Sequence, residues 1–530
     1  MFTILLLIIV FVLFISVALN GVSLKLGIPK VLAFLLLGVL VGYLKVIPYS
    51  SFEDFGFVQN VCTAALIFIM FYGGFGTRWV AVKHIVVEAG LLASVGVAIT
   101  AILTSLFCFY GLGWNLPESL VLGAVVSSTD AASVFSILRA KKLGLKNNTA
   151  PMLEVESGSN DPMACMLTIA MMSFMKGTAS GGGIALMLLM QIGLGAICGL
   201  SIAYLAIQGL QKINMHGSGY SSLFLFAVAI ASYAVPDVMG GNGYLSVYLV
   251  GIILGNEEFK EKRAIVNFFD GINEMMQVIT FFLIGILVVP ANLYRDFIWA
   301  AMIFIFMLIV ARPAAVFSIL APFRKYKFKQ MSFISFVGLR GASAIVFAIM
   351  CVSGESALQH DLFNIVFCLV FISIGLQGSL IPWVAKKMNM IDNNSNVLKT
   401  FNDYMEDNSL LFSQVEITND SYLARRLIKD IHLPKNILIA LILRGKEQII
   451  AKGDTMMLPG DKAIFVSHAY NGYEAIFLEK TIKPTSKRIG KKISETTGTG
   501  IIIMIRRGNK NIIPNGNTVL HEGDRLVLLR

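Results

Sequence analysis

The sequence predicts an all-α polytopic membrane protein of about thirteen transmembrane helices, followed by a small cytoplasmic α+β tail. Three observations support this fold class. Of the 530 residues, 56% are hydrophobic and only 14% are charged, a composition typical of membrane proteins. Long apolar segments follow one another until about Met390, where the chain turns polar. Basic residues concentrate in alternate loops, as expected of a multi-pass topology.

The apolar segments define the expected spans, because a helix needs about 20 predominantly apolar residues to cross a bilayer. The first segment lacks the basic stretch that precedes a signal peptide's apolar core, so we interpret it as a span. The ninth is the shortest. The expected spans are 3–20, 29–45, 57–77, 85–111, 117–139, 150–175, 183–211, 221–240, 244–257, 266–290, 297–321, 330–354 and 362–385.

The basic residues predict the orientation. With the N-terminus outside, eighteen of the 23 Lys and Arg in residues 1–390 fall in inside loops, three fall outside and two lie within spans. Because basic loops stay in the cytoplasm, we expect a multi-pass protein of the cell (inner) membrane with a cytoplasmic tail. The net charge of +11 divides between these loops and a mixed-charge tail, which argues against nucleic acid as a partner and leaves membrane lipid.

Beyond the membrane block, 1–390, we expect a linker at 391–410 and two related modules at 411–480 and 481–530. The modules repeat at an offset of 63 residues, so that Gly460-Asp461 corresponds to Gly523-Asp524. Each repeat predicts a strand, a turn, a strand, a Gly-Asp turn and a further strand.

The fifth span contains four consecutive hydrogen-bonding residues, Ser127-Ser128-Thr129-Asp130. Such side chains compete for nearby backbone groups. The run predicts a broken helix whose free carbonyls and half-helix ends line an ion site. The alternative is an intact helix with its hydroxyls packed against a neighbour.

The sixth span carries Glu154, Glu156, Asn160 and Asp161, although a charge near the bilayer centre costs roughly 2.5–3.5 kcal/mol on insertion scales. Ser157 and Asp161 are one turn apart and share a helix face that suits a hard cation. Glu156 and Asn160 share a neighbouring face and need a structural partner. The charge of Glu154 has no evident purpose in the sequence.

The twelfth span offers that partner in Gly338-Leu339-Arg340-Gly341. A lone arginine at mid-span must pair or face water, and its guanidinium binds carboxylates in a fixed geometry. We therefore expect Arg340 to pair with Glu156, and the flanking glycines to allow close approach or a broken helix. Arg312, near the inner end of its span, is expected to snorkel to the interface or to cap.

Other classes of function lack their signatures. The six cysteines all lie in apolar segments without metal spacing, which predicts small buried residues. None of the six histidines lies in a confident span, and no nucleophile elbow occurs. We therefore expect neither an enzyme nor a metal or cofactor site. A tail-gated cation channel would need a filter of repeated carbonyls or charged rings, and no such segment is visible.

Together, these motifs resemble the monovalent cation/proton antiporter superfamily, in the branch that carries Asn-Asp. The matching features are Thr129-Asp130, the run from Glu156 to Asp161, and Gly338–Gly341, in the fifth, sixth and twelfth spans. The longer runs 156–163 and 376–385 resemble the bacterial cell-volume-regulation, or potassium/proton, antiporters. The tail resembles the C-terminal ligand-sensing modules of potassium-transport regulators, in tandem.

The resemblance implies two inverted repeats, crossing broken helices and a homodimer. It makes Asp161 the carboxylate that binds both ion and proton. The remaining roles it implies are cation binding by Thr129, Asp130 and Ser157, and a structural ion pair of Glu156 and Asn160 with Arg340. Several relatives have an acid in the third span, whereas Phe71–Phe75 contains none, so no ligand is carried over there.

The expected activity is secondary antiport of a monovalent cation for protons, electroneutral because Asn160 does not titrate. Potassium is favoured through the tail and the family resemblance, and sodium is the alternative. The tail is expected either to bind a regulatory ligand such as a cyclic dinucleotide or nucleotide, or to serve as a dimerisation platform.

Overall fold

The computed structural model describes most of the chain between Lys30 and Leu529. The described residues are 10, 14–15, 30–44, 55–392, 410–468 and 477–529, apart from gaps at 78, 142, 179–180, 213–217, 258, 260–261, 289–292, 354–357, 420, 432, 434–436, 446, 483–485, 487, 496–500, 508–509, 513 and 515. The span expected at 3–20 and most of the linker expected at 391–410 lie outside them.

The chain divides into two compact units, Met1–Met405 and Glu406–Arg530. Apart from a short strand pair, the first unit is helical. Its described helices are α1 Lys30–Tyr43, α2 Phe55–Gly76, α3 Trp79–Val82, α4 Val86–Gly111, α5 Leu116–Val125, α6 Ala131–Ala140, α7 Thr149–Met175, α8 Gly181–Lys212, α9 Ser218–Val238, α10 Gly243–Asn256, α11 Lys262–Ile286, α12 Leu293–Phe323, α13 Phe328–Phe336, α14 Ala342–Ser353 and α15 Leu362–Lys387.

The helices follow the expected spans from 29–45 onward. Two spans are split: α5 and α6 share 117–139, and α13 and α14 share 330–354. Among the described residues, seven helices are long and apolar enough to cross a membrane by length and composition. The fold is therefore a polytopic helical bundle with broken helices, while the count of thirteen spans stays a prediction.

Small residues bring the helices of the first unit close together. A Cβ added to Gly251 would lie 2.5 Å from the carbonyl oxygen of Phe71, so α10 crosses α2 almost backbone to backbone. A Cβ at Gly195 would lie 2.7 Å from the carbonyl oxygen of Asn242, which places α8 equally close to the start of α10. These contacts are typical of small-xxx-small helix packing. All six cysteines are free and buried, as predicted.

A two-stranded ribbon joins the loop between α6 and α7 to the residues that follow α15. Strand β1, Gly144–Leu145, pairs antiparallel with β2, Ile391–Asp392. The Lys146 amide also donates to the Met390 carbonyl at 2.9 Å. Residues 391–392, expected at the start of the linker, are thus paired with the helical unit.

The second unit contains two four-stranded antiparallel sheets. The first has the order β3-β6-β4-β5 and the second the order β7-β10-β8-β9. Because β7 starts at Phe477, the second sheet begins before the expected module boundary at 481. The strands are β3 Leu410–Glu416, β4 Ile437–Arg444, β5 Glu447–Ile450, β6 Lys462–His468, β7 Phe477–Thr481, β8 Ile501–Arg507, β9 Lys510–Ile512 and β10 Arg525–Leu529.

The repeat offset of 63 residues recurs in the contacts of the two sheets. Arg444 donates to both carboxylate oxygens of Asp461 at 2.8 Å, and Arg507 does the same to Asp524. Hydrogen bonds from Arg444 hold the pKa of Asp461 below its usual range, against the opposing effect of burial. The Gly-Asp turns predicted from the repeat are therefore anchored to the ends of β4 and β8 by bidentate ion pairs.

Candidate functional site

The first broken helix ends at Val125 and resumes at Ala131, because polar side chains capture the backbone between them. The Ser127 hydroxyl donates to the Ala124 carbonyl at 2.6 Å. Asp130 caps α6: its Oδ1 accepts from the Ala132 amide at 2.9 Å and the Ser133 amide at 3.3 Å. The break thus leaves the Ser127, Ser128 and Thr129 carbonyls to side-chain donors, and the predicted broken helix is observed.

The second broken helix crosses the first at this point. Residues 337–341 separate α13 from α14, and the Leu339 carbonyl accepts from the Asp130 amide at 2.8 Å. A Cβ added to Gly341 would lie 2.5 Å from the Cβ of Asp130. The glycine therefore permits direct contact between the two unwound segments, with one backbone hydrogen bond joining them.

Arg340 donates hydrogen bonds to free carbonyls of the first helix break. Its side chain is only 3% exposed, and Nη1 donates to the carbonyl of Ser127 at 2.8 Å and to that of Ser128. The Arg340 amide donates to the Ser373 hydroxyl at 3.0 Å. The guanidinium thus places a positive charge against backbone dipoles at the crossing.

The expected pairing of Glu156 with Arg340 is wrong in this structure. The Glu156 carboxylate binds Arg312 instead, and both side chains are buried, at 1% and 4% exposure. The Arg312 guanidinium packs beside Gly338, where an added Cβ would lie 2.6 Å from Nε. Arg312 therefore neither snorkels nor caps. It reaches the interior because the neighbouring glycine leaves room for it.

Asn160 is also placed differently from expectation. Its Nδ2 donates to the Thr129 hydroxyl rather than forming part of an arginine pair. The Ser157 hydroxyl donates to the Thr129 carbonyl and accepts from the Ala131 amide, both at 2.8 Å. Helix α7 thus fixes the first break through two side chains, and Ser157 and Thr129 lie together as the sequence predicted.

Asp161 lies on α7 beside this crossing. Its Oδ1 is buried and accepts no hydrogen bond from the described part of the chain. The Ser128 and Ser343 hydroxyls are its polar neighbours and lie 3.3 Å from each other. The Asn160 Oδ1 is likewise buried without a donor among the described residues. The site therefore offers unused oxygen acceptors, which suit a proton or a hard cation.

The charges around the crossing are compensated in different ways. Glu156 forms a salt bridge with Arg312, and Arg340 donates to two carbonyl oxygens. Asp130 accepts from the amides at the N-terminus of α6. Asp161 interacts with hydroxyl groups but forms no salt bridge within the described residues. Of these four charged residues, Asp161 is thus the one whose charge meets neither an opposite charge nor a helix end within the described residues.

Two residues of this site escaped sequence reasoning. Ser343, in the first turn of α14, joins Ser128 at the crossing. A hydroxyl directly after a predicted helix break is a signal that could have revealed it. Arg312 could have been weighed as the partner of Glu156, since two arginines lay within spans and nothing in the spacing chose between them.

Other charged groups of the spans form pairs away from the crossing. Lys30 binds Glu274 and Lys325 binds Glu88. The Tyr72 hydroxyl donates to the Asp270 carboxylate at 2.6 Å. These acids therefore have structural partners, and the third span meets an acid through Tyr72 although it carries none.

Residues 7–387 match the family described as sodium/hydrogen exchanger, transmembrane, and residues 412–469 and 477–529 each match the TrkA-C domain. The K(+)/H(+) antiporter NhaP2 of Shewanella sp. (strain ANA-3) is 30% identical over 453 residues, covering 84% of this chain and 78% of that protein. The K(+)/H(+) antiporter NhaP of Alkalimonas amylolytica is 34% identical over 377 residues, covering 71% and 65% respectively.

The fold is also found in a solved structure, that of the sodium proton antiporter MjNhaP1 from Methanocaldococcus jannaschii. It matches with a TM-score of 0.63 and 21% identity, covering 73% of this chain and 99% of that one. The match to the exchanger family extends over most of the chain and includes both broken helices and α7. The chain belongs to the sodium/hydrogen exchanger family and carries two C-terminal TrkA-C domains.

Proposed function

We propose that the chain is a secondary active antiporter that exchanges a monovalent cation, potassium, for protons across the cytoplasmic membrane. The observation that carries this proposal is the buried Asp161 Oδ1, which accepts no hydrogen bond within the described residues and lies beside the crossing of two broken helices. Potassium is favoured because the relatives are named K(+)/H(+) antiporters and because the tail carries TrkA-C domains. Sodium is the alternative substrate, and proton movement driven by each cation distinguishes the two.

Coupling follows from competition for one carboxylate. Burial disfavours the charged form of Asp161, and either a proton or a cation removes that penalty. The two cannot occupy the same oxygens together, so the arrival of one releases the other. If only the neutralised site crosses between the two sides, exchange is obligatory.

The neighbouring residues divide into two proposed groups. Thr129, Ser157 and Asp161 supply oxygens to the cation, with Asp130 placed close by as the cap of α6. The scaffold is held by Glu156, Asn160 and Arg340. None of these residues makes the ion pair that the sequence first suggested, and each makes another contact instead. The carbonyl of Thr129 is engaged by Ser157, so a cation would meet the hydroxyl oxygens and the carboxylate.

The test is cation-driven proton movement in inverted membrane vesicles that hold the overproduced protein. Vesicles are acidified by respiration, and dequenching of a pH-sensitive dye is followed after addition of potassium or sodium salts. We expect dequenching with potassium at lower concentrations than with sodium. A response to sodium alone would identify sodium, and not potassium, as the substrate. Unitary currents in planar bilayers would indicate a channel and not an antiporter.

We propose further that the protein works as a homodimer in membrane lipid, with the N-terminus outside and the tail in the cytoplasm. The basic loops support this orientation, and the TrkA-C match supports a small ligand, a cyclic dinucleotide or nucleotide, at the tail. Binding of such a ligand to the purified protein, measured by calorimetry, checks the regulatory role. A tail that binds none of them but holds two chains together would be a dimerisation platform.

A further inference from the structure

A cavity of about 520 Å³ lies among α7, α8, α9 and α10, away from the crossing of the broken helices. It lies toward the Met175 end of α7, whereas the Thr149 end adjoins the basic loops. Its oxygen-bearing lining side chains include Gln59 and Thr63 of α2, together with Gln191, Tyr233, Asp237 and Tyr244. The described lining residues include no Lys, Arg or His, so the cavity has an acidic character.

Asp237 is an exposed carboxylate that lines the cavity, so a cation can reach it from the surrounding solution. It lies in the last turn of α9, which ends at Val238, and the negative end of a helix dipole disfavours a nearby negative charge. No salt bridge joins Asp237 to a described residue. The carboxylate, one turn from Tyr233, therefore presents an uncompensated charge to the cavity.

Gln191 of α8 supplies a second acceptor in the lining of the cavity. Its side chain is 6% exposed, and its Oε1 is buried without a donor in the described part of the chain. The Gln191 carbonyl accepts from the Asn242 amide at 3.0 Å, which fixes α8 against the turn between α9 and α10. Tyr233 and Tyr244 complete the wall, with ring centroids 5.0 Å apart. Carboxylate, amide and hydroxyl oxygens are the ligands that hard cations prefer.

Cys165 links the cavity to the proposed exchange site. It lines the cavity and lies one helical turn beyond Asp161 on α7, a rise of about 6 Å. The part of the cavity that Cys165 lines therefore lies about one helical turn along α7 from the exchange carboxylate.

We propose that Asp237 and the Gln191 Oε1 form a loading site for the transported monovalent cation, which supplies Asp161 from the face opposite to the basic loops. This inference rests on the proposed antiport function and adds a sided second site to it. Asp237 provides the charge that concentrates the cation, and the buried amide oxygen replaces part of its hydration. The site acts on one side only, since the cavity lies toward one end of α7.

The experiment compares the half-saturating potassium concentration on each side of the membrane, in right-side-out and inverted vesicles. Asp237→Asn is expected to raise this concentration 5- to 10-fold on the cavity side, with the maximal rate kept and the other side unchanged. Gln191→Leu, which changes no charge, is expected to raise it 2- to 5-fold on the same side. Asp237→Glu keeps the charge and is expected to stay near wild type.

Asp296→Asn is the control for loss of a carboxylate elsewhere, because Asp296 is buried near the expected outer end of α12 and does not line the cavity. It is expected to shift neither side. Equal shifts on both sides, or no shift for Asp237→Asn and Gln191→Leu, would overturn the loading site while leaving antiport intact. Loss of potassium-driven exchange in the wild-type protein would instead overturn the proposed function itself.

Discussion

Asp161 differs from the other buried acids of the crossing in having no salt bridge within the described residues. Glu156 is held by Arg312, and Asp130 by the amides that begin α6. A residue whose charge is already matched gains little from a cation, whereas Asp161 gains the whole interaction. We therefore expect the exchange site to be set by the carboxylate that lacks an opposite charge among the described residues, and not by the number of acids present.

Asp161→Asn is expected to abolish exchange. The amide cannot release a proton and carries no charge for a cation, so both halves of the competition disappear. Dye dequenching in inverted vesicles measures the effect, with protein amount and thermal stability checked in detergent. Exchange at the wild-type rate in this variant would assign the ion to another group.

Arg312→Ala is expected to lower the stability of the protein by roughly 3–5 kcal/mol, because it leaves the Glu156 charge buried and unpaired. Removal of both charges, in Glu156→Gln with Arg312→Gln, should recover much of the loss. Thermal unfolding in detergent is the measurement. If Glu156→Gln instead rescued Arg340→Ala, the pair first expected from the sequence would be the one that matters.

At this scale the sequence predicted which residues meet at the crossing better than it predicted their partners. The roles of Asp161, Ser157 and Thr129 in exchange stay predictions, but because an ionisable residue in an apolar span is itself a signal, their place at the crossing could be found. The partner of Glu156 could not, because Arg312 and Arg340 are far from it in sequence and tertiary packing alone selects between them. The role of Asn160 depended on the same packing, since an amide can serve either an arginine or a hydroxyl.

At the level of elements, the crossing depends on the absence of a side chain at Gly341. A Cβ there would approach the Asp130 side chain to 2.5 Å, which is closer than carbon atoms tolerate. Gly341→Ala is expected to destabilise the protein by about 1–3 kcal/mol and to slow exchange several-fold. Gly73→Ala is the control, because an added Cβ there meets nothing within 4 Å. Equal effects of the two substitutions in the unfolding and dequenching assays would contradict the role of the crossing.

The tail strands depend on an ion pair between a partly exposed arginine and a buried aspartate, and this pair has a defined pH response. Hydrogen bonds from Arg444 lower the pKa of Asp461 in the folded state, so the pair stabilises above the unfolded pKa of about 3.9 and this contribution is lost as the pH falls through the lowered value. Asp461→Asn should therefore weaken β4 and β6 near neutral pH by about 1.5–3 kcal/mol. Hydrogen exchange of residues 437–444 and 462–468 in the whole protein measures it.

Asp524→Asn is the matched change in the second sheet, where it should affect β8 and β10 and leave β4 and β6 protected. If the loss of exchange protection in Asp461→Asn persisted below the folded-state pKa of Asp461, it would have a cause other than the ion pair.

The tail repeat was readable from the sequence because its Gly-Asp turns recur at a fixed offset. The start of β7 was not, since this strand precedes the repeated motif.

For the whole molecule, the alternating basic loops predicted which elements share an end of the bundle. The helix breaks could be predicted from polar runs and glycines in the sequence. The pairing of β1 with β2 could not be predicted. Each strand has only two residues, so neither carries a periodic pattern, and their pairing depends on where α15 delivers the chain. The same limit applies to the cavity beside Gln191 and Asp237, which forms only when α8 and α9 pack against α7.

Electroneutral exchange is a prediction about the transport cycle of the whole molecule. Asp161 is the titrating group proposed for the site, and its neighbour Asn160 is an amide bound to Thr129, so one proton exchanges for one monovalent cation. Reconstituted protein should therefore give no transport current on a solid-supported membrane after a potassium jump, while dye signals report proton movement. The Asp161→Asn protein supplies the background in both assays. A current that rises with exchange rate would require a second charge per cycle, and hence a second titrating group.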